Sequence, residues 1–164
     1  MTAAAEIATI QRRFFAYLID AAILLIPTLL IVILLKDFPL IFHLLYICLN
    51  CSYFTHFISS KAQATPGQQL MNIYTVNVDN SKIDLGLAFD RSISQFFLPL
   101  LSNIIIVIIE FFQEEDVLVN VLSILKASIM LLTICWYLVA CLSIKKQTFH
   151  DMLFDTVVVK GAIK

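Results

Sequence analysis

The sequence RRFFAYLID, residues 12–20, places two arginines at the mouth of a long apolar run and an aspartate inside it. Apolar residues continue to Leu35, so residues 14–35 are long enough to cross the roughly 30 Å hydrocarbon core of a bilayer as a helix. Asp20 then lies about 10 Å below the membrane surface, at roughly 1.5 Å of rise per residue from Arg13. An ionisable group at that depth is costly and faces protein or water rather than lipid. Asp20 must therefore have a partner.

The composition is that of a small integral membrane domain. Of the 164 residues, 60% are hydrophobic and 14% are charged, and the mean hydropathy is +0.92. The formal net charge is −1 and the basic residues are spread over short segments, so we expect no nucleic acid partner. The expected partner is the lipid bilayer. A homo-oligomer or a membrane-protein partner is also considered, because four short spans enclose little pathway.

Three further apolar runs follow the first. They cover residues 38–59, 95–112 and 127–144. Runs of this length predict an all-α membrane protein with four transmembrane helices. The whole chain forms a single domain, with an aqueous loop at residues 60–91 and an aqueous tail at residues 145–164.

The loop and the tail predict a small β-structure outside the membrane. Residues 73–85 alternate apolar and polar side chains around a turn, which is typical of a β-hairpin. Residues 156–160 predict a C-terminal strand, and pairing it with the hairpin avoids an exposed strand edge. Asp84 is placed to cap the next helix, and Thr148 followed by Asp151 resembles the capping box that begins a short helix.

The basic residues predict the orientation. Four spans place both termini and the long loop on the same side of the membrane. Nine basic residues lie on that side and two on the other, so the positive-inside rule makes it the cytoplasm. The basic residues on the cytoplasmic side are Arg12, Arg13, Lys61, Lys82, Arg91, Lys145, Lys146, Lys160 and Lys164. Those on the other side are Lys36 and Lys126.

No set of residues suggests catalysis, a cofactor or a metal centre. The cysteines all fall inside predicted helices, where a thiol behaves as a small hydrophobe, and we expect them to be free. They are Cys48, Cys51, Cys135 and Cys141. The sequence pairs no nucleophile with a base, and it has no quartet of ligands with metal spacing. We therefore expect neither an enzyme nor a bound cofactor or metal.

Polar residues of two other spans share the depth of Asp20. They lie roughly 10 to 12 Å below the cytosolic surface, and they are Asn50, Ser102 and Asn103. Residues nearer to water are expected to support this layer, and they are His56, Gly67, Arg91 and Gln95. In one interpretation Asp20 binds a proton or a small cation, with the other oxygens as ligands. In the other it only clamps helices through hydrogen bonds of about 0.6 to 2 kcal/mol each. Spacing alone does not distinguish the two.

Four short motifs and one arginine stand out along the chain. They are R-x-x-A-x-x-I-D at 13–20, T-P-G at 65–67, Arg91 before a span, Q-T-x-H-D at 147–151 and T-V-V-V at 156–159. Together they resemble the RDD family of bacterial membrane proteins, whose name denotes one arginine and two aspartates. The matching positions are Arg13, Asp20 and Asp151. The family pattern usually has a lysine after the glycine, where this chain has Gln68.

The resemblance implies a multi-pass protein of the bacterial inner (plasma) membrane, for which transport of ions or small ligands is suggested. We therefore predict ion or small-solute transport, with cation/proton exchange as its most concrete form. In this hypothesis Asp20 titrates, Arg13 tunes it electrostatically and Asp151 orders the cytosolic face. The alternative is a non-catalytic membrane scaffold or accessory subunit.

Overall fold

A computed structural model describes residues 6–161 of the chain. This part of the chain forms four long helices, two short helices and two strands. In chain order they are α1 (Ile10–Leu34), α2 (Pro39–Ser59), α3 (Pro66–Leu70), β1 (Ile73–Asn77), α4 (Leu85–Phe111), α5 (Asp116–Leu142), α6 (Phe149–Leu153) and β2 (Thr156–Lys160). The loop end of the bundle is defined here as the end that carries α3, β1, α6 and β2.

The four long helices are each long and apolar enough to cross a membrane. Together with the small antiparallel sheet, they confirm the predicted fold class. Three of the four long helices begin earlier than the predicted spans, and α2 begins one residue later, at Pro39. α4 starts at Leu85 rather than at residue 95, and α5 starts at Asp116 rather than at residue 127. Both helices therefore continue beyond the apolar segments that identified them.

Side-chain caps determine where several helices begin. The carboxylate of Asp84 accepts a hydrogen bond of 2.7 Å from the amide of Leu87, which confirms the predicted cap of α4. Thr148 and Asp151 form the predicted capping box of α6. A second capping box, made by Thr65 and Gln68, begins α3. The two boxes hold short helices that are too small to be stable alone.

The main packing interface joins α2 to α4. A buried cluster lies along it, extended by residues of α1 and of the segment before α4, and its members are Leu24, Ile47, Cys51, Phe54, Ile58, Ile83, Ala88 and Phe96. Most of the remaining apolar surface of the long helices is exposed. α1 lies mainly against α3 rather than against α2. This loose packing of α1 leaves space beside it for cavities.

The sheet pairs strands that are distant in sequence. β1 lies antiparallel to β2, with Ile73 opposite Lys160 and Asn77 opposite Thr156. The pairing of the C-terminal strand with this region is as predicted, but the predicted hairpin partner at residues 82–85 is wrong. Ile83 is instead buried in the helical cluster, and its carbonyl accepts a hydrogen bond of 3.0 Å from Gln63. Burial of this side chain and capping by the next residue prevent the segment from pairing as a strand.

The other edge of β2 is covered by the segment before α1. The amide of Ala8 donates to the carbonyl of Val158 at 2.9 Å, and the amide of Lys160 donates to the carbonyl of Glu6 at 2.7 Å. The side chains of Glu6 and Lys160 also form an ion pair. β2 therefore has hydrogen-bonded neighbours on both sides, which protects its edges from other chains.

The strand register predicts which pair of introduced cysteines can form a disulfide between β1 and β2. Tyr74 lies directly opposite Val159, at a separation that suits a disulfide. In a chain without its native cysteines, Tyr74→Cys combined with Val159→Cys should crosslink on mild oxidation, as measured by a mobility shift after proteolysis between the two positions. The control pair, Tyr74→Cys with Val158→Cys, places the thiols on opposite faces of the sheet and should not crosslink. Equal crosslinking of both pairs would contradict this register.

Candidate functional site

Asp20 is almost fully buried, and it accepts hydrogen bonds from three groups. The hydroxyl of Tyr53 donates at 2.7 Å, the hydroxyl of Thr65 at 2.6 Å and the amide of Gly67 at 2.8 Å. These donors come from α2 and from the start of α3. The T-P-G turn therefore folds down onto α1, and the anion that its backbone binds is the carboxylate of Asp20. Three donors compensate for the removal of this charge from water.

Gly67 is required by the close approach of α3 to α1. A Cβ atom at this position would lie 2.1 Å from the carbonyl oxygen of Ala16 and 2.9 Å from the carboxyl carbon of Asp20. The first contact involves backbone, which cannot rotate away. Gln68 follows, and its side chain accepts from the amide of Thr65 at 3.1 Å and donates to the hydroxyl of Thr75 at 3.2 Å. This glutamine thus connects α3 to β1.

Asp151 is the second buried carboxylate, and it connects four elements. Arg91 of α4 donates to it from Nε at 3.1 Å and from Nη2 at 2.5 Å, and Arg13 of α1 donates from Nη1 at 3.2 Å. The hydroxyl of Thr148 donates at 2.8 Å, and that of Thr156 in β2 lies 3.3 Å away. Arg13 also donates to the carbonyl of Val158 at 3.1 Å. Asp151 thereby connects α1 and α4 to the tail.

The charges around Asp151 keep its carboxyl ionised. Burial alone would raise the pKa of Asp151, but the guanidinium groups of Arg91 and Arg13 outweigh burial and hold this pKa well below its usual range. The carboxylate is thus ionised at neutral pH and in weak acid. Two arginines share this one carboxylate.

His150 is buried beside Asp151 and is neutral. Burial lowers the pKa of His150 to about 3. Its Nε2 lies 2.9 Å from the hydroxyl oxygen of Thr148, and that hydroxyl gives its proton to Asp151. The hydroxyl therefore accepts from Nε2–H, which assigns the tautomer of the ring. The Nδ1 atom is buried and, among residues 6–161, has no hydrogen-bond partner.

A cavity of about 360 Å³ lies between these two carboxylates, bounded by α1, α4, α5 and α6. Both clusters contribute to its wall, although carbon atoms make up most of the wall surface. The polar side chains on the wall are Arg13, Tyr17, Asp20, Gln68, Arg91, Gln95, Tyr137, Thr148, His150 and Asp151. A cavity of this volume is in the range of small-molecule sites.

A smaller cavity of about 130 Å³ lies between α1 and α2, farther from the loop end. Its polar lining consists of Tyr17, Thr28, Tyr46 and Asn50. The amide nitrogen of Asn50 donates to the carbonyl of Tyr46 in its own helix at 2.8 Å. Within residues 6–161, no group of three or more His, Cys, Asp or Glu side chains is placed to hold a metal ion.

The chain matches the RDD family over residues 7–155. It belongs to that family. Arg13, Asp20 and Asp151 all lie inside the matched segment, in the two clusters described above. No curated protein and no solved structure matches the chain. Family membership and the four apolar helices together identify a multi-pass integral membrane protein.

The RDD residues form two sites rather than one. Arg13 contacts Asp151, whereas Asp20 is bound by Tyr53, Thr65 and Gly67. The pairing of Arg13 could not be read from the sequence, because 138 residues separate it from Asp151. Tyr53 was missed because its ring suits an apolar run. The available signal was its hydroxyl, which needs a partner when it is buried.

Within residues 6–161, none of the polar residues predicted to share a layer with Asp20 forms a hydrogen bond with it. Asn50 lines the smaller cavity, and Ser102 and Asn103 are half-buried on α4 and line neither cavity. Among the residues predicted to support this layer, three lie near the carboxylates, and they are Gly67, Arg91 and Gln95. His56 is exposed and packs edge-on against Phe57. Residues at equal depth on separate helices therefore do not all point toward the same site.

We expect Gly67→Ala to destabilise the RDD protein strongly. Its Cβ would overlap the backbone of Ala16, so the turn must move away from α1 and Asp20 loses a donor. Overpacking of this kind costs about 1 to 3 kcal/mol before the loss of the hydrogen bond. Thermal unfolding in detergent measures the effect. The control is Gly86→Ala, since a Cβ there meets only Asp84 at 3.6 Å. A similar loss in both variants would contradict the close-approach argument.

The neutral His150 predicts a loss of stability in weak acid. Its pKa is about 3 when folded and 6.5 in the free side chain, so between these values the unfolded chain binds one more proton. Stability that is complete above pH 6.5 should fall with pH across this window, with a slope approaching about 1.4 kcal/mol per pH unit. Thermal unfolding at pH 7.5 and pH 5 measures the change.

In this test, His150→Gln should reduce the fall in stability between pH 7.5 and pH 5, because glutamine does not titrate. His56→Gln, at an exposed histidine, is the control and should leave the decline unchanged. The depressed pKa of Asp151 means that its own contribution is lost only at lower pH, as the pH falls through that pKa. If His150→Gln kept the full pH dependence, the buried neutral histidine would not be its cause.

Proposed function

We propose that the protein carries small ions or solutes across the bacterial inner (plasma) membrane. The observation that supports this is the larger cavity, because two separate clusters of buried ionisable residues line the same space in an otherwise apolar bundle. Ionisable groups at the membrane face often mark solute pathways. The excess of basic residues at the loop end favours a cytoplasmic location for that end and for both termini. The cavity would then be the cytosolic half of the pathway.

Cation/proton exchange is the most concrete form of this proposal. Asp20 lies on the cavity wall, and two of its three donors are hydroxyls, those of Tyr53 and Thr65. A hydroxyl can rotate and can accept as well as donate. Its rotation would free a carboxylate oxygen for a proton or a small cation. Asp151, which binds Arg13 and Arg91, would order the cytosolic face.

The second candidate is a non-catalytic membrane scaffold or accessory subunit. The observation that favours it is the set of three donors at Asp20. These hydrogen bonds hold α1 against α2 and α3 without any bound ion. Most of the surface of α5 is left uncovered among residues 6–161, so it is available to lipid, to an oligomer or to a membrane-protein partner in either case. Neither candidate requires enzymatic chemistry.

Flux measurements on Asp20 variants distinguish the two candidates. In sealed vesicles with an internal pH dye, a pulse of sodium or potassium ions should drive proton movement through the wild-type chain, and Asp20→Asn should abolish it. Tyr53→Phe is the matched control, because it removes one hydrogen bond from Asp20 and retains the carboxylate. It should keep most of the flux. Wild-type vesicles that move no more protons than empty vesicles would rule out the exchange.

A loss of folded protein in the Asp20 and Tyr53 variants would support the scaffold candidate. If Asp20→Asn and Tyr53→Phe both reduce the amount of folded protein in the membrane and wild type shows no flux, Asp20 acts as a clamp. If Asp20→Asn folds normally and loses only flux, the carboxylate acts on the transported ion. The amount of folded protein is measured by size-exclusion chromatography in detergent.

A further inference from the structure

The two cavities follow one another along α1. The larger cavity touches this helix from Ile10 to Asp20, and the smaller one touches it from Tyr17 to Thr28. From Arg13 at the membrane surface to Thr28, the helix rises about 22 Å at roughly 1.5 Å per residue. That length is about three quarters of the roughly 30 Å of a hydrocarbon core. Joined together, the cavities would extend along most of the thickness of the membrane.

Two aromatic residues line both cavities, namely Tyr17 and Phe54. Phe54 is buried, and its ring lies 5.5 Å from the ring of Phe96 and 5.4 Å from that of Tyr53, which fixes its position. The side chain of Tyr17 is different, because 46% of the residue is exposed. Its ring lies outside the buried cluster between α2 and α4. The boundary between the cavities thus has one buried wall and one partly exposed wall.

The smaller cavity presents uncharged oxygen atoms. Thr28 and Tyr46 contribute hydroxyls, and Asn50 contributes its amide. Asn50 is 94% buried, and its nitrogen already donates to the helix backbone. Within residues 6–161 no hydrogen bond reaches its Oδ1, and Asn50 is one of the residues that line the cavity. At roughly 30 Å³ per water, the volume of about 130 Å³ holds about four waters.

We propose that the smaller cavity is a second binding site, within the membrane, for a small and partly hydrated monovalent cation. Tyr17, closing against Phe54, gates its connection to the larger cavity. Hard cations prefer oxygen ligands, and neutral oxygens bind them weakly enough for release. This inference rests on the proposed function, since it describes where a cation goes after Asp20. It assigns to Tyr17, Phe54 and Asn50 roles that differ from that of the carboxylate.

Thiol labelling tests the gate without requiring transport. Ala21 lines only the smaller cavity, so Ala21→Cys in a chain without its native cysteines reports on access to it. A membrane-impermeant cationic methanethiosulfonate reagent is added at the loop end of sealed vesicles. With Tyr17 present, labelling should be slow. With Tyr17→Ala it should be at least about tenfold faster, which corresponds to about 1.4 kcal/mol.

Phe15→Ala is the matched control for the gate. It truncates an exposed aromatic residue of the same helix that lines neither cavity, so it should leave the labelling rate unchanged. An equal rate with Tyr17 and with Tyr17→Ala would overturn the gate, and so would an equal acceleration by Phe15→Ala. In each chain, folding is checked by size-exclusion chromatography.

Sodium protection tests the cation site in the same reporter chain. In the open Tyr17→Ala background, sodium chloride should slow labelling of Ala21→Cys relative to choline chloride of equal concentration. Asn50→Leu keeps the side-chain size and removes Oδ1, so it should abolish the difference. Equal labelling in sodium and choline would overturn the cation site.

These labelling results are separable from the flux results. Gated, sodium-sensitive labelling in a chain without proton flux would retain the second site and reject cation/proton exchange. Flux that depends on Asp20, combined with ungated and sodium-insensitive labelling, would retain the exchange and reject the second site and its gate.

Discussion

Burial of two carboxylates at one end of an apolar bundle is the constraint on which the rest of the structure depends. Asp20 and Asp151 are both about 1% exposed. A buried charge is tolerated only with a nearly complete set of donors. The long helices supply Tyr53, Arg13 and Arg91, and the turn before α3 and the tail supply the remaining donors. The loop end is built to bring a turn to Asp20 and two arginines to Asp151.

The requirement at Asp20 explains the shape of the loop after α2. One donor is a backbone amide, so the turn must approach α1 closely, and only glycine at position 67 permits this distance. The capping box of Thr65 and Gln68 presents the same turn at the correct angle, while the hydroxyl of Thr65 also donates to Asp20. A lysine at position 68 could not accept from the amide of Thr65, which explains how glutamine suits this version of the turn.

The requirement at Asp151 explains the contact between the tail and the helices. Arg13 and Arg91 lie on different long helices, and one carboxylate from the tail neutralises part of their repulsion. The capping box at Thr148 holds this carboxylate, and β2 follows it directly into the sheet. The sheet in turn carries Val158, whose carbonyl accepts from Arg13. Removing a single partner would leave a buried charge unpaired, which is far more costly than removing an exposed ion pair.

Local patterns in the sequence determined the four long helices, the C-terminal strand and the caps at Asp84 and Thr148, because length, hydropathy and capping act over a few residues. Only the tertiary structure decided which groups meet. Arg13 contacts Asp151 across 138 residues, Tyr53 rather than Asn50 binds Asp20, and β1 pairs with β2 because burial removes Ile83 from a local hairpin. The depth of a residue follows from counting along a helix, whereas the face that it presents depends on how each helix rotates to bury its charges.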